Sequence, residues 1–216
     1  MIAHRLNAIA PFHAMALLAR ARELEAQGRS VVHMEIGEPD FATPQPVVDA
    51  GINALRQDKT HYTPAVGLPE LREAIADYYL SQFQAKIDPR RVVVTPGASG
   101  ALQLILAMLV DPGSQVLMAD PGYPCNRNLV FLFEGEPVMV PVEAQHHYQL
   151  STELLQHYWS DRTSCVMVAS PSNPTGTVIS RDRLEALLQT VRDRGGQLIV
   201  DEIYQSLWYE EVPETA

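Results

Sequence analysis

From residue 91 onward, short apolar runs alternate with longer segments in which apolar residues recur at helical spacing. This alternation predicts an α/β fold, a mainly parallel sheet with helices on both faces, because parallel strands need right-handed crossover connections. The predicted strands span residues 92–95, 116–119, 137–142, 165–169 and 197–200, and the predicted helices span 101–110, the segment after P-G-Y-P to about 133, 152–158 and 181–194.

Helical spacing prevails in the chain before residue 91. Helices are predicted at residues 11–27, 46–56 and 68–84, and a short apolar run predicts a strand at 31–36. Pro11 and Gly28 mark the start and the end of the first helix, since proline suits a first helical turn and glycine commonly follows a last one.

The composition is that of a globular protein. Hydrophobic residues make up 46% of the chain and charged residues 19%, which excludes a disordered chain. The 216 residues are enough for one large domain or for one and a half. A formal net charge of −10 at pH 7 argues against nucleic acid and against an anionic membrane surface as partners.

The cytoplasm is the expected compartment. The two cysteines, Cys125 and Cys165, form no C-x-x-C pair, so neither a disulfide framework nor a zinc site is expected. Cys165 falls in a predicted strand and is expected to be a small buried apolar residue. The N-terminus lacks the apolar core of a signal peptide, and no apolar run approaches 18 residues.

A stiff turn follows the predicted strand 165–169, where the sequence reads S-P-S-N-P-T-G. Proline fixes its own φ and restricts the residue before it, so Asn173 is expected to be held rigidly between Pro171 and Pro174. It would then sit at the carboxyl end of a central strand, where open α/β sheets bind ligands. Taken alone, the segment is equally well explained as a proline-rich turn with asparagine as a turn former.

A second segment, T-P-G-A-S-G at residues 95–100, lies between a predicted strand and a predicted helix. Free amide groups at the helix start, the helix dipole and the Ser99 hydroxyl suit a phosphate monoester. An ordinary glycine-rich turn is the alternative. The P-loop signature and the G-x-G-x-x-G signature are both absent from the sequence.

Two further strand ends carry candidate ligand-binding residues. Asp201 directly follows the last predicted strand, and a buried carboxylate there needs a partner such as a protonated pyridine nitrogen; a Mg²⁺-holding acid of an NTPase is the alternative. Tyr204 can reach the same ligand or be an ordinary core tyrosine. Tyr123, in P-G-Y-P, can stack on a planar ligand or serve only packing.

All four sites fall at the carboxyl ends of predicted strands, and together they describe a pocket for pyridoxal 5′-phosphate. The motifs I-G-E-P-D-F, H-Y-T-P-A-V-G-L-P-E-L-R, T-P-G-A-S-G-A-L, P-G-Y-P, S-P-S-N-P-T-G and D-E-I-Y, in this order and spacing, resemble those of the class I/II aminotransferases of fold type I. The resemblance covers nearly the whole chain. It implies the fold of the large domain of these enzymes, and pyridoxal 5′-phosphate as cofactor.

The resemblance also implies roles for individual residues, which divide between the phosphate and the ring of the cofactor. Ala98 and Ser99 would hold the phosphate while Gly97 shapes the turn, Tyr123 would stack on the pyridine ring, Asn173 and Tyr204 would hydrogen-bond the ring hydroxyl oxygen, and Asp201 would pair with the ring nitrogen.

The remaining implied roles concern the substrate and the partner subunit. Gly37 and Asn173 would bind near the carboxylate of an L-amino acid or a 2-oxo acid. Tyr62 would reach the cofactor phosphate of the partner subunit, which makes the parent protein a homodimer. Residues 1–45 would form an N-terminal arm and part of the small domain, and residues 46–216 an incomplete large domain.

One departure from the family pattern concerns the Schiff-base lysine. Family members carry this lysine, and an arginine that holds the substrate carboxylate, downstream of the D-E-I-Y motif. The only lysines here, Lys59 and Lys86, lie away from the predicted strand ends and are expected to be solvated. Residues 208–216 also show no helix to cover the last strand. The chain therefore resembles the N-terminal portion of an aminotransferase, with no catalytic residue of its own and no expected activity alone.

The same resemblance predicts an open edge in the sheet. In the family, two further strands insert between the strand at 92–95 and the rest of the sheet. We therefore expect an edge there that is unpaired or paired differently, and prone to self-association.

Other functions remain open. The same fold hosts C–S lyases, decarboxylases and regulator domains, and fold alone does not choose among them. A non-catalytic fragment or interaction module is a further alternative, which the missing lysine favours. His146 and His147, in the polar segment 143–149, are adjacent residues and are expected to be solvated rather than to bind a metal.

Overall fold

The computed structural model describes residues 2–37 and 41–207 of the chain. They form two compact units: residues 11–69 form one, and the residues up to 10 together with the chain from residue 70 onward form the other. The domain boundary between residues 45 and 46 stays a prediction. Residues 38–40 of I-G-E-P-D-F and the segment 208–216 lie outside the described residues.

The smaller unit contains two helices, α1 (His13–Ala26) and α2 (Gln45–Arg56), close to the predicted bounds. The strand predicted at residues 31–36 is wrong, because this segment has no regular secondary structure and no strand partner among the described residues. Val32 and Met34 are 82% and 88% exposed. A strand requires a neighbour for its backbone hydrogen bonds, and a β-like sequence alone does not supply one.

The larger unit is built on a sheet of four strands in the order β2-β1-β3-β4, with every neighbouring pair parallel. The strands are β1 (Gln115–Asp120), β2 (Glu136–Pro141), β3 (Thr163–Ala169) and β4 (Gln197–Asp201). The accompanying helices are α3 (Pro69–Phe83), α4 (Gly97–Leu109), α5 (Pro124–Leu132), α6 (Thr152–Tyr158) and α7 (Arg181–Asp193).

Two hydrophobic clusters cover the two faces of this sheet. Side chains alternate along a strand, so β1 contributes Leu117 to one cluster and Met118 to the other. Helices α6 and α7 pack on the first cluster, where Leu155 and Leu187 are fully buried. Helices α4 and α5 pack on the second cluster, to which Cys165 belongs, as expected for a buried apolar residue. The predicted α/β class with helices on both faces is confirmed.

The strand predicted at residues 92–95 is wrong, because this segment has no regular secondary structure and pairs with none of the four described strands. Its position depends instead on Arg72, which donates from Nε to the Val92 carbonyl at 2.9 Å and from Nη2 to the Pro89 carbonyl at 2.8 Å. Val93 is 50% exposed. The segment is therefore unpaired among the described residues, and an open sheet edge that self-associates stays a prediction.

Helix α4 begins at Gly97, four residues earlier than predicted, so the expected tight turn at 97–100 is the first turn of the helix. Gly97 has φ of +75°, a conformation that glycine adopts without strain. Within the described ranges, no helix has both the length and the apolar character needed to cross a bilayer.

Candidate cofactor site at the carboxyl ends of the strands

An open cleft lies at the carboxyl ends of β1 and β3, entirely within the larger unit. The loop after β1 contributes Gly122 and Tyr123, and the loop after β3 contributes Ser172 and Asn173. Asn126 of α5 lines it as well, together with one methionine from each of β1, β2 and β3. The cleft occupies the edge of the sheet at which parallel α/β folds bind ligands.

Asn173 and Tyr204 meet beside this cleft. The Asn173 Nδ2 donates to the Tyr204 hydroxyl over 3.4 Å, at the long end of the hydrogen-bond range. The two residues come from different loops, after β3 and after β4. The peptide bonds that precede Pro171 and Pro174 are both cis. The sequence-predicted pair is thus brought together, with polar atoms that can share one ligand oxygen.

Asp201 ends β4 beside the last residue of β3, because the two strands pair Asp201 with Ala169 and the Ser170 N–H donates to the Asp201 carbonyl at 3.0 Å. The side chain shares a sheet face with Ile199, two residues earlier, and therefore with the cluster under α4 and α5. Its Oδ1 accepts from the Ile203 N–H at 3.0 Å. Over the described part of the chain, no cationic side chain forms an ion pair with this half-buried carboxylate.

Tyr123 is the aromatic residue of the site. A hydrogen bond with Cys125 raises the pKa of Tyr123 to about 12, and burial and the proximity of Tyr204 and Asp201 add to the shift. The phenol therefore stays neutral at any physiological pH. The preceding Gly122 is required by space, since a Cβ there would lie 2.6 Å from the Ala119 carbonyl oxygen.

The predicted phosphate-binding residues Gly97, Ala98 and Ser99 form the first turn of α4, and no side chain caps the helix start. A Cβ on Gly100 would lie 3.0 Å from Pro96 Cδ, so glycine suits this close turn. Helix α4 covers the same sheet face to which Asp201 belongs. These residues do not line the cleft, whose lining runs from Met118 to Asn173. Their role in phosphate binding stays a prediction.

Gly37 and Tyr62 belong to the smaller unit, and their proposed contacts with substrate and with the partner's cofactor stay predictions. Tyr62 is fully exposed. Lys59 and Lys86 are both exposed, as expected, and neither lines the cleft. His146 forms a local cap with Glu143, and no cluster of potential metal ligands exists among the described residues.

Two residues that sequence reasoning missed also line the cleft, Asn126 and Gln149. Asn126 is 9% exposed, and its buried Oδ1 has no hydrogen-bond partner among the residues that the structure describes. Gln149 is 2% exposed and ends the segment that was expected to be a polar loop. The position of Asn126, three residues after Tyr123, was a usable signal; Gln149 had none, because its partners lie 20 and 28 residues further on.

The fold and this site agree with the comparison to known protein families. The sequence model of the family "Aminotransferase class I and II" matches residues 29–215. The chain therefore belongs to the class I and II aminotransferase family, as its motifs indicated, and its fold is that of the fold type I enzymes.

Individual relatives give the same result. The chain is 39% identical over 210 residues to a (5-formylfuran-3-yl)methyl phosphate transaminase from Methanocaldococcus jannaschii, covering 97% of this chain and 54% of the relative. It is 36% identical to a probable aspartate/prephenate aminotransferase from Aquifex aeolicus, covering 96% and 53%. The structure superposes on the Thermus thermophilus aspartate aminotransferase with maleate at a TM-score of 0.94 and 34% identity, covering 100% and 56%. The chain spans about half the length of the relatives it matches.

The family implies pyridoxal 5′-phosphate, and the described residues fit this group. A half-buried carboxylate without a cation suits a protonated ring nitrogen, and the buried Asn126 carbonyl without a donor suits an additional occupant of the cleft. The neutral Tyr123 ring and the Asn173–Tyr204 pair supply an apolar face and a polar edge.

Proposed function

We propose that this chain forms the cofactor-binding half of a pyridoxal 5′-phosphate-dependent aminotransferase, which moves an amino group between an L-amino acid and a 2-oxo acid. The observation that carries the proposal is that Asn173 and Tyr123 line one cleft, while Tyr204 contacts Asn173 and both Tyr204 and Asp201 lie near Tyr123. Family membership supports it, since the relatives are named as aminotransferases.

Each residue of the site would have a separate task. Asp201 would hold the proton on the ring nitrogen, because a nearby anion raises the pKa of a base and keeps it charged. Asn173 and Tyr204 would hydrogen-bond the ring hydroxyl oxygen, and the Tyr123 ring would lie against the cofactor ring. Ala98 and Ser99 would bind the phosphate at the start of α4, with Gly97 shaping the turn.

The bound cofactor would supply a conjugated ring that accepts an electron pair from the substrate Cα. This chain would bind and orient that ring, but it offers no amine at the cleft, since Lys59 and Lys86 are exposed elsewhere. Proton transfer at Cα would therefore need an amine that neither lysine places at the cleft. The observation that both lysines are exposed also favours the second candidate, in which the chain alone binds the cofactor without turnover.

Substrate, assembly and compartment belong to the same proposal. Gly37 and Asn173 would contact the substrate carboxylate. The relatives are named for different substrates, so the amino acid that serves as amino donor is not assigned. The fully exposed Tyr62 would reach the cofactor phosphate of the partner subunit in a homodimer. Both cysteines are free thiols, which agrees with a reducing compartment, so we place the protein in the cytoplasm.

A titration of the 216-residue chain with pyridoxal 5′-phosphate tests the proposal. Binding is followed by absorbance. The sample is then reduced with borohydride, and mass spectrometry determines whether the cofactor has become covalently attached to the protein. A bound chromophore that borohydride does not attach to the protein is the expected result. A specific adduct at Lys59 or Lys86 would contradict their assignment as solvated, and absence of binding would contradict a cofactor site formed by this half.

A further inference from the structure

Gln149 is the most completely buried polar side chain that lines the cleft, at 2% exposure. Its Nε2 lies 3.0 Å from the Ala169 carbonyl, 3.1 Å from Thr177 Oγ1 and 3.3 Å from the Thr177 carbonyl. Two of these three atoms are carbonyl oxygens, which can only accept, so the amide nitrogen and not the amide oxygen must face them. One side chain therefore joins the end of β3 to a residue eight positions further along the chain.

Ala169 and Thr177 are the two ends of the loop that carries Asn173. Within this loop, the Ser172 N–H donates to the Thr177 carbonyl at 2.9 Å and the Gly176 N–H donates to the Ser172 carbonyl at 2.7 Å. The Ile179 N–H donates to Ser170 Oγ at 3.0 Å. These bonds close the loop on itself, and the Gln149 amide bridges its two ends from the outside.

The backbone of Gln149 is held in place by helix α7. Arg183 of α7 donates from Nη2 to the Gln149 carbonyl at 2.7 Å and from Nε to the Leu150 carbonyl at 2.9 Å. Leu150 is fully buried in the cluster under α6 and α7. The backbone of Gln149 is therefore held by Arg183, and its side-chain amide is held by Ala169 and Thr177. Gln149 can thus fix the loop to the hydrophobic core.

We propose that Gln149 is a positioning residue that joins the two ends of the loop 170–176 and so holds the Asn173 amide at the cleft, in register with the Tyr204 hydroxyl. The proposal rests on the proposed function, in which Asn173 hydrogen-bonds the ring hydroxyl of the cofactor. Gln149 acts through Asn173 and is assigned no contact with the cofactor.

A buried glutamine at the opposite end of the same sheet provides a matched control. Gln115 is 8% exposed, and its Oε1 accepts from the Ser160 hydroxyl at 2.6 Å. Gln115→Met and Gln149→Met each remove one buried glutamine amide of the same size. Both variants are expected to lose stability, but only Gln149→Met changes the loop that carries Asn173.

The first experiment measures binding of 4′-deoxypyridoxine 5′-phosphate, a cofactor analogue without the aldehyde, so that Lys59 and Lys86 cannot react with it. We expect roughly tenfold weaker binding in Gln149→Met, the loss that follows from one misplaced hydrogen bond. The bound ring hydroxyl is also expected to ionise at higher pH, because a misplaced Asn173 no longer donates to its oxyanion. Gln115→Met should bind like the parent chain.

A milder variant keeps the test decisive if Gln149→Met folds poorly, and a double variant tests whether Gln149 acts through Asn173. Thr177→Val removes one of the three acceptors and should weaken binding in the same direction by a smaller factor. If Gln149 acts through Asn173, the double variant Gln149→Met/Asn173→Ala should bind no more weakly than Asn173→Ala alone. Additive losses, or equal losses in Gln149→Met and Gln115→Met, would overturn the positioning role.

A readout without ligand separates this inference from the proposed function. Hydrogen exchange of the Ser172 and Gly176 amides should accelerate in Gln149→Met and stay unchanged in Gln115→Met. If the parent chain does not bind the analogue, the proposed function fails for this chain, and the exchange rates alone decide whether Gln149 holds the loop. Parent-like exchange in Gln149→Met would refute the inference whatever the binding result.

Discussion

The polar side chains at the two ends of the same parallel sheet differ in whether they have hydrogen-bond partners. At the amino end, Gln115 accepts from Ser160, the Ser160 hydroxyl accepts from the Arg162 N–H at 3.1 Å, and Arg162 pairs with Glu136 at 2.6 Å. At the carboxyl end, the buried Asn126 carbonyl has no partner among the described residues. These polar groups at the amino end satisfy one another, whereas the carboxyl end holds a buried carbonyl with no partner among the described residues.

The difference has an energetic meaning. A buried polar atom without a partner costs about 1–3 kcal/mol, so the Asn126 carbonyl at the carboxyl end of the sheet lowers stability there. Such a group calls for an explanation, and a role in ligand binding is one. Substitutions at the carboxyl end should therefore affect ligand binding more than stability, and substitutions at the amino end should do the reverse.

Asp201→Ala should give the largest effect on binding. A charge-assisted hydrogen bond contributes about 1.5–3 kcal/mol, so the cofactor analogue should bind roughly 10- to 100-fold more weakly. The free energy of unfolding should change by only about 1 kcal/mol, because the lost bond to the Ile203 N–H is offset by removal of a half-buried charge without a cation. Titration with the analogue and urea denaturation measure the two quantities.

The exposed Asp161, in the loop before β3, provides the charge-matched control for this variant. Asp161→Ala should leave analogue binding and stability unchanged. If Asp201→Ala lowered stability by several kcal/mol while sparing binding, Asp201 would be a structural acid, and the two ends of the sheet would not differ as described.

Ser160→Ala tests the amino end and should act on stability alone. The variant leaves Gln115 Oε1 buried without a donor and removes the acceptor of the Arg162 N–H, so the free energy of unfolding should fall by about 1–3 kcal/mol. Analogue binding by the folded fraction should match that of the parent chain. A loss of affinity at full folding would show that the two ends are coupled through the sheet.

Asn126→Leu should move stability and binding in opposite directions. Removing a buried amide that lacks a partner for its oxygen should raise the free energy of unfolding by about 1 kcal/mol, while binding of the analogue weakens about fivefold. Thermal unfolding with and without the analogue measures both effects.

Asn128, two residues further along α5, is the matched control for Asn126. Its Oδ1 also has no partner in the described part of the chain, but its Nδ2 donates to the Ala10 carbonyl at 3.3 Å, and it does not line the cleft. Asn128→Leu should leave binding unchanged. If both variants weakened binding equally, the lack of a partner for Asn126 would be a packing defect without functional meaning.

Local motifs predicted much of this site, and longer-range contacts escaped them. The apolar runs predicted the parallel sheet. Asn173 and Tyr204 were chosen as candidate ligand-binding residues because both lie close after predicted strands. The strand expected at 92–95 has a suitable sequence but no neighbour in the described structure, and pairing is a property of two segments. Gln149 was missed because a glutamine in a polar run gains its meaning only from acceptors at Ala169 and Thr177.

The smallest expected effect is that of Cys125→Ala on the pKa of Tyr123, at the carboxyl end of the sheet. Cys125→Ala removes the hydrogen bond that contributes most to the raised pKa of Tyr123, so this pKa should fall from about 12 toward the ordinary value of 10.0. A raised pKa stabilises the fold fully below pH 10, and this contribution is lost as the pH rises through 12. In Cys125→Ala the raised pKa of Tyr123 contributes less to the free energy of unfolding. A rise from pH 10 to pH 12 should therefore lower stability by less than in the parent chain. Phenolate absorbance, taken as the difference from Tyr123→Phe, follows the ionisation, and an unchanged midpoint would show that burial rather than the thiol controls Tyr123.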